Sequence, residues 1–179
     1  MASCYFAFLR GINLGKRRIR MADLKACLEP LGSSDLKTIV ASGNVRFNTE
    51  QPDNLKARIE AALEERFDYH VGVILRSASQ IETMLERHPF ASMDQRADAQ
   101  RFVLLFDEPL PEGLAVAGID GVFDILRVDQ RDIYLAAYRQ TNGRYTEGFT
   151  SLTRQLDQTL GKARLETMRN FNTIEKAFV

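Results

Sequence analysis

The loop Arg10-Gly-Ile-Asn-Leu-Gly-Lys-Arg-Arg-Ile-Arg20 carries five basic residues in eleven and no acid, which is the composition of an anion-binding loop. Gly11-x-x-x-Gly15-Lys16 after an apolar run invites comparison with a phosphate-binding P-loop. The comparison fails, because the glycines are one residue too close and Arg17 stands where a magnesium-binding Ser or Thr belongs. A looser anion site, built from glycine-freed amides with Lys16 or Arg17, remains open beside a plain solvated loop. A second polar cluster, Ser42-Gly43-Asn44, reads as a tight turn or as a small platform of hydroxyl, amide and backbone N–H. A third, Met168-Arg169-Asn170-Phe171-Asn172-Thr173, precedes the last helix. Capping by Asn172 or Thr173 accounts for one of its polar residues, and Phe171 for a hydrophobic staple. An arginine at a helix start opposes the dipole without an acidic partner or an anionic ligand.

Other chemistry finds little support. His70 and His88 are the two histidines, and neither has a His, Cys or carboxylate at ligand spacing, so no metal site is expected. Cys4 and Cys27 fall on apolar positions and read as small hydrophobes. They form no metal spacing and no disulfide framework, which points to a reducing cytoplasm. Nucleophile elbow, dinucleotide fingerprint and calcium loop are all missing, which leaves any cofactor unknown.

The 179 residues hold 24 Lys+Arg and 24 Asp+Glu, with 45% hydrophobic and 27% charged residues. This is a globular composition, and the zero net charge argues against nucleic acid or a membrane surface as the main partner. Cys4 to Leu9 is far too short to cross a bilayer, and no positive segment precedes it to suggest a secretory signal.

The elements that must position the polar clusters follow from periodicity. Ser3 to Leu9 reads as a buried strand; Leu24, Cys27, Leu28 and Leu31 as a helix stopped by Gly32, its last turn distorted by Pro30. Leu36 to Ala41 and Val45 to Phe47 read as strands around Ser42-Gly43-Asn44. Leu55, Ile59, Leu63 and Phe67 form one helical stripe after Pro52-Asp53, and His70 to Leu75 another strand. Ser77-x-x-Gln80 is a capping box for a helix along Ile81, Leu85 and His88. Arg101 to Phe106 is a strand, and Glu108 to Gly121 leaves room for a short helix. Val122 to Val128 and Ile133 to Tyr138 are strands, and Leu152, Leu156 and Leu160 a helix closed by Gly161. A short strand near Leu165 and a helix from about Thr173 finish the chain. The expected class is α+β: two ferredoxin-like βαββαβ-type subdomains in tandem, 1–77 and 78–179, antiparallel sheets with helices on one face, plus a C-terminal helix. The repeat is one of topology, not of residues.

Phe8-Leu9-Arg10-Gly11-Ile12-Asn13-Leu14-Gly15, Ser42-Gly43-Asn44-Val45 and Arg169-Asn170-Phe171-Asn172-Thr173 together resemble the bacterial Domain of Unknown Function 1697 family. The resemblance implies a pair of ferredoxin-like subdomains and brings no reaction or ligand. The chain departs from the family pattern at Phe171, where Trp is usual, at Glu166-Thr167-Met168 before the arginine, and at Gly148-Phe149-Thr150-Ser151-Leu152, which lacks an expected lysine.

All three clusters fall at element ends. If they meet, Arg10, Asn13, Lys16, Ser42, Asn44, Arg169, Asn170 and Asn172 form a pocket rich in donors and poor in bases, suited to a phosphate or carboxylate. The leading expectation is a cytoplasmic binder of a small anionic ligand, a nucleotide or phosphorylated metabolite. An enzyme using the same donors, with Glu166, Asp23 or Glu175 as the nearest acids, is one alternative. An RNA-binding sheet using Phe6, Phe8, Phe47, Tyr134 and Tyr138 is another, although no RNP-type pattern appears. A third assigns the Arg/Asn residues to architecture alone. Nothing in the sequence sets an oligomeric state.

Overall fold

The computed structural model describes residues 1–12, 19–39, 43–94 and 97–178. They divide into two compact units, Met1–Thr83 with the chain end from Glu175, and Met84–Ile174. The expected boundary at 77/78 lies at the junction of a strand and the helix after it.

In the N-terminal unit, β1 (Ser3–Leu9), α1 (Met21–Leu28), β2 (Ser33–Ile39), β3 (Asn44–Thr49), α2 (Leu55–Phe67) and β4 (Val73–Ser77) follow the βαββαβ order. The sheet order is β2-β3-β1-β4, antiparallel throughout. α1 ends as its sequence dictates: a 3₁₀ turn Glu29–Leu31 holds Pro30, and Gly32 takes φ 79°. Leu24 and Leu28 of α1 and Leu55, Ile59 and Leu63 of α2 pack on Ala7, Leu9, Val45, Phe47 and Val73, so both helices cover one face. The other face is closed as well, since Phe6, Phe8 and Ile74 are also buried.

In the second unit, α3 (Ala78–Glu86), which begins in the first, is followed by β5 (Ala99–Phe106), β6 (Phe123–Val128), β7 (Asp132–Tyr138), α4 (Phe149–Leu160), β8 (Glu166–Asn170) and α5 (Phe171–Phe178). The order β6-β7-β5-β8 repeats that of the first sheet. The helix allowed for between Glu108 and Gly121 does not form. Pro109, Pro111, Gly113, Gly118 and Gly121 deny that stretch helix propensity, and Leu110, Leu114, Val116 and Ile119 pack on the core without one. β4 begins at Val73, three residues later than expected, which leaves His70 outside the strand, exposed and 3.5 Å from Glu64. α3 ends at Glu86, and His88 beyond it takes φ 44° just before Pro89.

Two of the sheet edges, β4 and β6, are partly covered by the chain's own groups. Arg10 N bonds Gly72 O, so the alternation of an antiparallel ladder turns the amides of Val73, Leu75 and Ser77 away from β1. Val73 N donates to Glu60 Oε1 at 2.9 Å, and Ser77 N to Gln80 Oε1 at 2.8 Å. On β6, Phe123 exchanges both backbone bonds with Ile119. Such cover leaves little of these edges for strand addition.

The capping box forms as expected: Gln80 N donates to Ser77 Oγ at 3.3 Å while the Gln80 side chain returns to Ser77 N. Ser77→Ala is expected to cost about 1 kcal/mol, read as a shift of the urea midpoint without a change of slope.

Candidate functional site

Two of the sequence clusters meet at one end of the N-terminal sheet. Leu9 N donates to Gly43 O at 2.9 Å and Arg10 N to Gly72 O at 2.8 Å, so the end of β1 is tied on both sides as the chain leaves it. Gly11 follows at φ 74°, and Ile12 turns inward to a buried position. Gly43, at φ 76°, lies so close that a Cβ there would stand 2.4 Å from Ile12 Cδ1. Only glycine satisfies both the backbone angle and that contact. Arg10 is exposed at this end. Asn13, Lys16 and Ser42 lie outside the described residues.

Asn44 is not a turn residue. It opens β3 opposite Phe8, is 1% exposed, and donates from Nδ2 to Ile39 O at 3.4 Å. Its amide closes the β2–β3 connection, which accounts for its place in the cluster.

The third cluster lies in the other unit. Arg169 is a strand residue of β8, not a helix-start residue, so the conflict with the helix dipole does not arise. Its Nη1 donates to Thr167 Oγ1 at 2.6 Å and to Met168 O at 2.8 Å. Burial pushes the guanidinium pKa down to about 10. α5 is capped two or three residues earlier than expected, by Asn170, whose Oδ1 accepts from Asn172 N at 3.0 Å. Asn170 Nδ2 donates to Gln100 Oε1 at 3.4 Å. Asn172 is engaged by a residue that sequence reasoning passed over: Arg101 Nη2 donates to Asn172 Oδ1 at 2.5 Å. The Arg101 guanidinium sits 5.6 Å from the centres of both the Phe90 and the Phe171 rings. Phe171 does staple the helix, packing on Phe90 at 4.8 Å and edge-on to Tyr134 at 6.1 Å. The signal for Arg101 was available in principle, as a basic residue opening an otherwise apolar strand.

The fourth strand of the first unit carries the same arrangement. Arg76 is fourth of five residues in β4, as Arg169 is in β8; it is 3% exposed, and its Nη1 donates to Leu75 O at 3.0 Å. The residue after each arginine, Ser77 or Asn170, caps the following helix.

Of the aromatics considered for stacking on a base, Phe6, Phe8, Phe47 and Tyr134 are buried, and Tyr138 is half-buried with its hydroxyl donating to Asp124 Oδ2 at 2.6 Å. Cys4 accepts from Arg46 Nε at 3.5 Å, and Cys27 donates to Ala62 O at 3.2 Å, its thiol pKa raised by burial. Among the described residues, no three His, Cys, Asp or Glu side chains gather to hold a metal, and no helix is long and apolar enough to cross a membrane.

The family model described as Protein of unknown function (DUF1697) matches residues 2–134. The chain belongs to that family. The match takes in the Arg10 and Gly43–Asn44 clusters, and the Arg169–Thr173 segment lies beyond it. A solved structure, the conserved bacterial protein SP0830 from Streptococcus pneumoniae, superposes with a TM-score of 0.71 at 20% identity, covering 99% of this chain and 98% of that one. It shows the fold this DUF1697 chain shares. No curated protein matches.

Two contrasts follow. Gly43→Ala is expected to destabilise by about 2 kcal/mol or more, through strain and the clash with Ile12. Gly11→Ala has the same φ problem in open space and is expected to cost about 1 kcal/mol. Arg169→Ala strips Thr167 and Met168 O of their donor and leaves a void, for an expected loss of about 2–4 kcal/mol. Arg10→Ala, at an exposed position, is expected to stay within about 0.5 kcal/mol. Urea unfolding of the four variants measures all of them.

Proposed function

We propose that the protein binds a small anionic ligand, of the nucleotide or phosphorylated-metabolite class, at the end of the N-terminal sheet where Arg10–Gly11–Ile12 meets Gly43–Asn44. The observation that carries this reading is the pair of backbone bonds, Leu9 N to Gly43 O and Arg10 N to Gly72 O, which plants an exposed arginine beside two glycines in the left-handed region. Such turns direct backbone N–H groups outward without a Cβ in the way. In the proposal Arg10 supplies a planar, bidentate charge, Lys16 a second charge from the loop that follows, and Asn13 and Ser42 neutral hydrogen bonds. Asn44 anchors the start of β3 through Ile39 O. Arg169, Asn170 and Asn172 are given a framework role, because each has a partner within its own unit: Thr167 and Met168 O, Gln100 and the α5 backbone, and Arg101. A reducing, cytoplasmic setting belongs to the same reading, since Cys4 and Cys27 are separate thiols.

The test is a thermal-shift screen of the full chain against nucleotides, phosphorylated metabolites and small carboxylates, with Arg10→Ala in parallel. A ligand at a hundred times its dissociation constant adds about 2.7 kcal/mol, a readable rise in Tm. The expected result is a hit that Arg10→Ala loses while its own Tm without ligand is unchanged. No shift with any compound, or a hit that Arg10→Ala keeps at full strength, overturns the proposal.

A further inference from the structure

The strand registers align the two units residue by residue. Phe6 pairs with Arg76, and Val103 pairs with Arg169, the equivalent arginine of the second sheet. Four residues further on, Arg10 therefore corresponds to Asp107. The hydrogen bonds agree with this alignment. Leu9 N to Gly43 O at 2.9 Å has its counterpart in Phe106 N to Arg131 O at 2.9 Å, and Arg10 N to Gly72 O at 2.8 Å in Asp107 N to Leu165 O at 3.0 Å. The clamp at the end of the central strand is built twice.

What stands on the two clamps is opposite in sign. Arg10-Gly11 corresponds to Asp107-Glu108, and Gly43-Asn44 to Arg131-Asp132. The chain beyond the first clamp is basic, with Lys16, Arg17 and Arg18; the stretch from Pro109 to Gly118 has no Lys or Arg and adds Glu112. The second clamp is also covered. Arg131 Nη1 donates to Asp107 O at 2.8 Å, and Leu110 N to Gln130 O at 2.7 Å, which folds the outgoing chain back over the hairpin. Nearby Asp129 is held by Arg87 at 2.9 Å and Arg127 at 2.6 Å.

We infer that the two units are charge-reversed copies at this position, that only the N-terminal copy takes the anion, one per chain, and that Arg10 is the residue that sets the difference. The inference rests on the anion-binding reading above and deepens it. The second clamp sets Asp107, Glu108 and Asp132 against one arginine, Arg131, whose guanidinium is engaged by Asp107 O, so the same backbone that carries a net positive charge at Arg10 carries a net negative one here, and selectivity lies in the side chains and not in the fold. The copy also shows that an aspartate is compatible with the clamp, because Asp107 makes the same amide bond that Arg10 makes.

The experiment is a titration of the ¹⁵N-labelled full chain with inorganic pyrophosphate at low salt, followed by amide shifts, and repeated on Arg10→Asp. Saturable shifts at Gly11 and Gly43, none at Asp107 or Arg131, and binding weakened at least tenfold in Arg10→Asp are expected. Shifts at both clamps, or an Arg10→Asp protein that titrates like the parent, overturn the inference and leave the anion reading standing. No shift at either clamp, with pyrophosphate or with any compound from the screen, removes the reading and the inference together. Should Arg10→Asp not give a folded spectrum, Arg10→Gln takes its place, with weakened binding expected and unchanged binding counting against Arg10.

Discussion

The amides of Leu9 and Arg10 bond in opposite directions, one to Gly43 ahead of β3 and the other to Gly72 ahead of β4. That clamp determines where the basic loop leaves the sheet. β1 lies inside the sheet order, with β3 on one side and β4 on the other, so its last residues cannot shift without breaking a ladder on each side. Gly43 must remain glycine for the clamp to close over Ile12. The residues at this end are therefore held in place by main-chain geometry. A site held by main-chain bonds to its neighbouring strands is better preorganised than one on a free loop.

Burial on both faces is the second constraint. Ferredoxin-like sheets with helices on one side commonly expose the other, yet Phe6 to Leu9 on β1 and Phe102 to Phe106 on β5 are buried without alternation. This moves Phe6 and Phe8 out of reach of a stacked base. It also places Arg76 and Arg169 in low-dielectric surroundings, where a cation is costly without hydrogen bonds. Arg169 shows the cost in its depressed pKa and part of the compensation in the Thr167 hydroxyl and the Met168 carbonyl. A guanidinium, with five donors on one plane, can satisfy its own strand and a neighbour together; a lysine at the same place would reach fewer acceptors.

Most elements were legible because their signals are local. The 3₁₀ turn at Pro30, the stripe Leu55-Ile59-Leu63, the capping box at Ser77 and the stop at Gly161 each follow from a few neighbouring residues, and each is present. The misreadings share a different cause, dependence on partners far along the chain. Asn44 reads as a turn residue until its pairing with Phe8 draws it into β3. Arg169 reads as a helix-start residue until β5 recruits it into β8. Arg101 carries only a weak local mark, a charge at the start of an apolar run; it matters because Asn172, 71 residues away, and two aromatic rings close around it. The stretch after Glu108 kept enough spaced apolar residues to suggest a helix, but its prolines and glycines decide otherwise once the core accepts Leu110, Leu114, Val116 and Ile119 as an irregular lid.

Residue type alone does not separate a donor aimed at a ligand from one that satisfies a carbonyl, and Arg with Asn at an element end serves either purpose. The internal copy supplies the missing criterion. Arg76 and Arg169 sit at the same step of equivalent strands and make the same bond to the preceding carbonyl, and Ser77 and Asn170 cap the helices that follow. In both units the arginine bonds the strand's own carbonyl and the residue after it starts the next helix. Arg10 behaves in the opposite way: its main-chain bond is duplicated, and its side chain is replaced by one of the opposite charge at Asp107. The main-chain clamp accepts either sign at that step, so the choice between arginine and aspartate is set by the surroundings of the side chain and not by the backbone geometry the two units share.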